Sequence, residues 1–190
     1  MDAGTRFLDY HSASIESSKS LASSTFLESY TEAVKLCVSA IKSKHRIFTA
    51  GNGGSFADAI HIAGELVNYF TIPHAGFPVL ALGSNSSVLT SWANDHSFEE
   101  QFARELSAFA QPGDVLIALT TSGKSKNILK LIEVAKEMQV GIIGLTSKKG
   151  AQLLNADILL AVDSTSTPHI QEGHIIIYHA LCAEIEFQLS

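Results

Sequence analysis

The hydrophobic rhythm of the chain changes near residue 45. Before that point apolar residues recur at helical spacing. Leu27, Tyr30, Val34, Cys37, Val38 and Ile41 fall three or four residues apart, which predicts an amphipathic helix over 25–43. Residues 1–24 are rich in Ser and Ala and carry a weaker period, so a two-helix N-terminal arm over 1–43 is expected. Its apolar face suits either a subunit interface or its own domain.

After residue 45 the apolar residues gather into short runs without polar alternation, at 46–50, 79–82, 115–120, 141–146 and 158–162. Helical segments separate them, near 55–70, 98–110, 125–138 and 169–189, the last starting after Pro168. Strands that are apolar on both faces and separated by helices make a parallel sheet covered on both sides. The predicted fold is therefore α/β, a doubly wound five-stranded parallel sheet with helices on both faces and an N-terminal helical arm. With no repeat or dividing linker, 1–190 reads as one domain, its α/β core spanning 44–190.

The segments that follow the strands carry the chemistry. They are Gly51-Asn52-Gly53-Gly54-Ser55, Gly83-Ser84-Asn85-Ser86-Ser87, Thr121-Ser122-Gly123-Lys124-Ser125 and Ser147-Lys148-Lys149-Gly150. Ligands of open α/β sheets bind outside the carboxyl ends of the strands, and glycines and hydroxyls recur there. Two nucleotide motifs are nearly present and both fail. Phe56 stands where the dinucleotide fingerprint needs a small residue, and no acid follows the second strand to hold a ribose. The first glycine of a P-loop ending at Gly123-Lys124-Ser125 would fall at Ala118, inside a strand. What remains is a run of hydroxyls from Thr120 to Ser125 at a helix start, a phosphate cradle of neutral donors. Ser55 adds a further donor or caps its helix.

Charge supports that form of anion binding. The chain has 13 basic and 19 acidic residues, a net charge of −6, and no basic cluster of the kind nucleic-acid binding needs. An anionic ligand must then be held by dipoles and hydroxyls. The start lacks a secretory signal, no run is long enough to span a bilayer, and two cysteines, Cys37 and Cys182, are too few for a disulfide framework. A cytoplasmic protein without membrane or nucleic-acid partners is expected.

His61 and Glu65 stand one helical turn apart after the glycine loop, so both leave one face of the helix, a spacing that suits a divalent metal. The final helix offers Gln171, Glu172, His174 and His179. At about 100° per residue, Glu172 and His179 nearly align while Gln171 and His179 differ by roughly 80°. Spacing does not choose among them.

The residues themselves resemble a known family. Ala50-Gly51-Asn52-Gly53-Gly54-Ser55, Ala57-Asp58, His61-Ile62-Ala63-Gly64-Glu65, Asn94-Asp95, Thr121-Ser122-Gly123-Lys124-Ser125 and Thr167-Pro168-His169-Ile170-Gln171-Glu172-Gly173-His174 with His179 closely resemble the phosphoheptose isomerases of the sugar-isomerase (SIS) fold, in order from about residue 45 to 186. The resemblance implies conversion of sedoheptulose 7-phosphate to D-glycero-D-manno-heptose 7-phosphate, on the way to bacterial surface heptose of a lipopolysaccharide or capsule. It implies a homotetramer with active sites at subunit boundaries and Zn2+ held by His61, Glu65, Gln171 and His179. Substrate contacts would come from Asn52, Gly53, Gly54, Ser55, Glu65, Asn94, Asp95, Thr120, Thr121, Ser122, Ser125 and Gln171, with Glu65 and His179 as the acid–base pair. The chain departs from the family at Thr120, where a Ser is common, and at Ser166 and His169.

Two other readings keep the fold. One is a non-enzymatic tetramer that binds a replication initiator, which lacks the equivalents of Glu65 and His179; the other is an enzyme for a different sugar phosphate, either an isomerase of another ketose phosphate or a lyase of an amino-sugar phosphate. Trp92 and the phenylalanines read as core or interface, Cys182 as a small buried apolar residue, and His11, His45, His74 and His96 have no partner pattern.

Overall fold

The computed structural model describes all 190 residues. Two helices, α1 (Ala3–Ser18) and α2 (Ser24–Lys42), precede the sheet and are joined by a 3-10 turn, Lys19–Ala22. Then follow β1 (Ile47–Ala50), α3 (Gly54–Val67), β2 (Val79–Ala81), α4 (Ser86–Asp95), α5 (Gln101–Phe109), β3 (Val115–Leu119), α6 (Lys126–Glu137), β4 (Gly141–Ser147), the single turn α7 (Lys148–Ala151), β5 (Ile158–Val162) and α8 (Thr167–Leu189). All strand pairs are parallel and the order is β2-β1-β3-β4-β5. The five predicted strands and the double winding are all found.

Alternate strand residues feed two separate cores. Ile47, Val115, Ile117, Leu119, Ile143, Leu145 and Leu160 join α2, α3 and α8 on one face. Phe48, Leu116, Ala118 and Ile142 join α5 and α6 on the other. Phe48 is fully buried, so truncating it to Ala costs about 3–5 kcal/mol. The arm divides between two roles. Val34, Cys37 and Val38 of α2 are buried in the first core, as their spacing predicted, whereas α1 buries only Ser17 and leaves Phe7, Leu8 and Ile15 exposed.

The strand order creates the functional crevice. β1 and β3 are neighbours, yet α3 leaves β1 towards the first core and α6 leaves β3 towards the second. The two loops part at this point, where ligands of open α/β sheets are bound. Asn52 and Asn127 tie the parting loops together, each side-chain amide donating to the other's oxygen at 2.8 Å.

One helix escaped the reading of hydrophobic periodicity. α4 begins at Asn85, whose side chain accepts from the N–H groups of Ser87 and Val88. It buries no residue fully. Its short stripe of Val88, Leu89, Trp92 and Ala93 is only half-buried, Leu89 against the second core, so the Asn85 cap is its clearest local signal.

Candidate active site

At the end of β1 the chain turns through Gly53, whose φ of 56° and ψ of −120° only glycine adopts without strain. A Cβ on Gly51 would collide with the carbonyl of Ser55, so the turn packs backbone on backbone. Ser55 is buried at the start of α3, and Asn52 is fixed by Asn127. Asn127, which no local pattern in the sequence signals, is buried, and its Oδ1 also accepts from its neighbour Ile128 N–H.

At the end of β3 the hydroxyls organise their own loop. Thr120 Oγ1 lies 3.2 Å from Ser125 Oγ and accepts from Gly123 N–H, and Ser122 Oγ accepts from Lys124 N–H. Gly123 has φ +67°, and a Cβ there would meet the carbonyl oxygen of Gly150 at 2.5 Å. The loops after β3 and β4 are thus pressed together. Thr121, Ser122 and Lys124 line a cleft of about 240 Å³ with Ser147, Lys149, Ser164, Thr165, Thr167 and Ile170. Six of these nine residues are Ser or Thr from the ends of β3, β4 and β5 or the start of α8. The loops after β3 and β4 are both legible in the sequence, as residues 121–125 and 147–150, whereas Ser164 and Thr165 after β5 reach the cleft through the sheet order.

A second cluster lies along α3 and α8. His61, Glu65 and His179 bring one ligand atom each to within 4.8 Å of one another. His61 Nε2 lies 2.7 Å from Glu65 Oε1, and its ring meets that of His179 edge-on at 5.1 Å between centroids. Phe70, in the turn after α3, stacks on His179 at 5.2 Å. Burial, and next the charge of His61, lower the His179 pKa, opposed by Glu65, which favours the neutral imidazole. Two imidazoles and a carboxylate that converge form a donor set that fits a divalent ion of the zinc type.

The other candidates of the last helix separate by position. Glu172, nearly in line with His179 on the helical wheel, is occupied elsewhere. It accepts from Tyr10 and from Ser14 Oγ at 2.6 Å, and pairs with His169 Nδ1 at 2.9 Å, which clamps α1 to α8. His174 is fully buried, and burial pushes its pKa down to about 4. Gln171 directs its amide at Gly54, where an added Cβ would strike Nε2. It precedes His179 by eight residues, about 12 Å of helix rise. Within one chain it therefore stands with the glycine loop and apart from the three-donor cluster. Asn94 and Asp95 are exposed at the end of α4 and hydrogen-bond each other at 2.7 Å.

Two histidines without an expected role have structural ones. His74 Nε2 lies 3.1 Å from Glu186, and His45 Nδ1 lies 3.5 Å from Asp114. Trp92 is half-buried, stacked on His96 and covered by Arg104. Cys37 and Cys182 are free and buried, and burial raises both thiol pKa values. No helix is long and apolar enough to cross a membrane.

Comparison with known proteins agrees with this architecture. Residues 10–147 match the SIS domain. The chain is 46% identical over 149 residues to a phosphoheptose isomerase of Crocosphaera subtropica, covering 78% of this chain and 76% of that one. It is 39% identical over 170 residues to a phosphoheptose isomerase of Burkholderia pseudomallei, covering 89% and 86%. The solved phosphoheptose isomerase of Neisseria gonorrhoeae superposes with a TM-score of 0.88 at 31% identity, covering 97% of this chain and 99% of that one. That of Francisella tularensis gives 0.90 at 30% identity, covering 97% and 98%. In sequence and in fold alike, the chain belongs to the phosphoheptose isomerase family of SIS-domain proteins.

Proposed function

We propose that this protein isomerises sedoheptulose 7-phosphate to D-glycero-D-manno-heptose 7-phosphate, a step towards bacterial surface heptose, with residues 1–190 acting as one unit. The observation that carries this reading is the convergence of Glu65 and His179 beside His61, in a chain that also holds a hydroxyl-lined cleft at its strand ends.

Isomerisation moves one proton between C1 and C2 and another between their oxygens. A carboxylate suits removal and return of the carbon-bound proton, and a neutral imidazole suits exchange of the oxygen-bound one. Glu65 and His179 are the two groups with those properties in one cluster. His61, Glu65 and His179 would hold Zn2+, which supplies charge that polarises the carbonyl and hydroxyl oxygens. The phosphate belongs in the cradle of Thr120, Thr121, Ser122 and Ser125, where short hydroxyl side chains and backbone N–H groups at the start of α6 offer donors. Asn52, Gly53, Gly54, Ser55, Asn94, Asp95 and Gln171 would contact the sugar chain.

His61 and Glu65 lie about 10 Å or more along α3 from its start at the strand ends. That distance, together with the exposed Ile60, Val67, Ile175 and Ile176 on the same two helices, favours a homotetramer in which neighbouring chains complete each site. A Gln171 from a neighbour would then be free to join the metal cluster. Sedimentation at equilibrium tests the assembly, a tetramer being expected and a monomer at micromolar concentration contradicting it.

The substrate is tested by an activity panel of five-, six- and seven-carbon ketose phosphates. Preference for the seven-carbon substrate is expected. Turnover of a shorter sugar alone would reassign the enzyme, and no turnover with capture of a replication initiator would favour the binding-protein reading.

A further inference from the structure

Tyr178 precedes His179 on α8, so its side chain leaves the helix about 100° round from that residue. It is 1% exposed. A buried phenol hydroxyl needs a partner, and here it has two. Its Oη lies 2.9 Å from His61 Nδ1 and, in a longer contact, 3.5 Å from Asp58 Oδ1. Asp58 stands one turn before His61 on α3, buried, with its second oxygen unpartnered. The far nitrogen of the same imidazole, Nε2, faces Glu65. Tyr178 therefore grips His61 from the side opposite the cluster.

A neutral imidazole carries one ring hydrogen. For Nε2 to offer a lone pair to a cation, that hydrogen must sit on Nδ1. An Nδ1–H donates to Tyr178 Oη, which leaves the phenol hydrogen to find an acceptor. Asp58 is that acceptor: burial raises its carboxyl pKa, and the hydrogen bond from the phenol, whose Oη faces Oδ1, lowers it. Once a cation takes the Nε2 lone pair, the run His61 Nδ1–H to Tyr178 Oη, and Tyr178 O–H to Asp58 Oδ1, gives every hydrogen an acceptor. Without the cation Nε2, 2.7 Å from Glu65 Oε1, carries the hydrogen and Nδ1 accepts from the phenol.

We infer that Tyr178, backed by Asp58, is a positioning residue that holds His61 in its Nδ1–H form with Nε2 turned into the metal cluster. It touches neither the proposed metal nor the substrate, and acts through His61 alone. The inference rests on the metal reading given above, and its test separates the two.

The measurement is zinc affinity of the metal-free protein, read by competition with a chromophoric chelator. Tyr178→Phe keeps the ring in its packing and deletes the hydroxyl. Groups that orient a metal-binding His typically contribute 10–100-fold in affinity, so a loss of about that size is expected with the fold intact by circular dichroism. Asp58→Asn should show a smaller loss, and the double variant should bind no more weakly than Tyr178→Phe, because the two act in series. In zinc-loaded wild type the His61 Nδ1–H proton should resist exchange, and in Tyr178→Phe it should exchange freely. Affinity of Tyr178→Phe within about twofold of wild type, well short of the orienting effect, would overturn the inference, as would losses that simply add. Should Tyr178→Phe fail to fold, Asp58→Asn decides alone, undiminished affinity counting against the inference. Wild-type protein that binds no zinc would remove the metal reading itself, and this inference with it.

Discussion

The cradle at the strand ends and the cluster on the α3–α8 pair are built by different means. In the cradle, backbone does the positioning. Gly53 and Gly123 turn the chain at positive φ, Thr120 and Ser125 bond within one short loop, and the sheet order brings neighbouring loops into register. In the cluster, side chains do it. His61 and Glu65 come from one helix and His179 from another 114 residues later, and their convergence depends on how α3 and α8 pack. A cradle of backbone N–H groups and short hydroxyls suits an anion in its resting form, whereas a cluster of titratable groups can move protons. The two regions should therefore fail differently when damaged.

The largest difference is expected in the kinetics. His179→Gln should lower kcat by about 10²–10⁴-fold, the usual contribution of an acid–base group, with KM changed much less. Ser122→Ala should do the reverse, raising KM about tenfold for one lost hydrogen bond to a charged group while kcat holds. Steady-state kinetics on sedoheptulose 7-phosphate check both. If the two variants showed the same split between kcat and KM, the division of labour would be wrong.

The next effect is on stability. Gly123→Ala forces a side chain into left-handed backbone, at about 1–2 kcal/mol, and presses its Cβ on the Gly150 carbonyl. Gly53→Ala also meets a positive φ, but its Cβ would point into open space. Thermal unfolding should rank Gly123→Ala as the less stable of the two. The reverse order would mean that the crowded packing of the β3 and β4 loops is not what makes the cradle rigid.

The smallest effect is on acid stability next to the cluster. Glu186 accepts from the N–H groups of Phe70, Thr71 and Ile72 and faces His74, so it fixes the turn that lays Phe70 on His179. Burial pushes its pKa up, but those donors outweigh burial and hold it down from the usual 4.5 to about 2. A carboxyl depressed in the folded state contributes stability that is fully present above its unfolded pKa and lost as pH falls through the folded one. The gap in urea midpoint between wild type and Glu186→Gln should be widest near neutral pH and narrow below about pH 4.5. A gap constant down to about pH 3 would show that the carboxylate charge has no part in anchoring the turn.

The same contrast explains what could be read from the sequence. The sheet was readable because 115–120 and its counterparts are apolar on both faces, and the first loop of the cradle because its hydroxyls are consecutive. Ser164 and Thr165 were not, since they reach the cleft through the strand order alone. For the cluster, periodicity gave His61 with Glu65 but left four choices on α8. Glu172 fitted the helical wheel as well as any, yet an angle says nothing of height along the axis, and Glu172 lies with Tyr10 and Ser14 on α1. Family resemblance selected His179. Helix α4 stayed hidden because its short apolar stripe is only half-buried, and the clamp of α1 on α8 because it pairs residues more than 150 positions apart.

The central claim is that the α3–α8 cluster moves the proton. It is tested most directly by following sedoheptulose 7-phosphate with folded Glu65→Gln, which keeps the size of the side chain and removes its basicity. The account predicts a wild type that forms the aldose and a variant slower by about 10²–10⁴-fold. A variant within a few-fold of wild type, or a zinc-supplied wild type with no turnover, would contradict it.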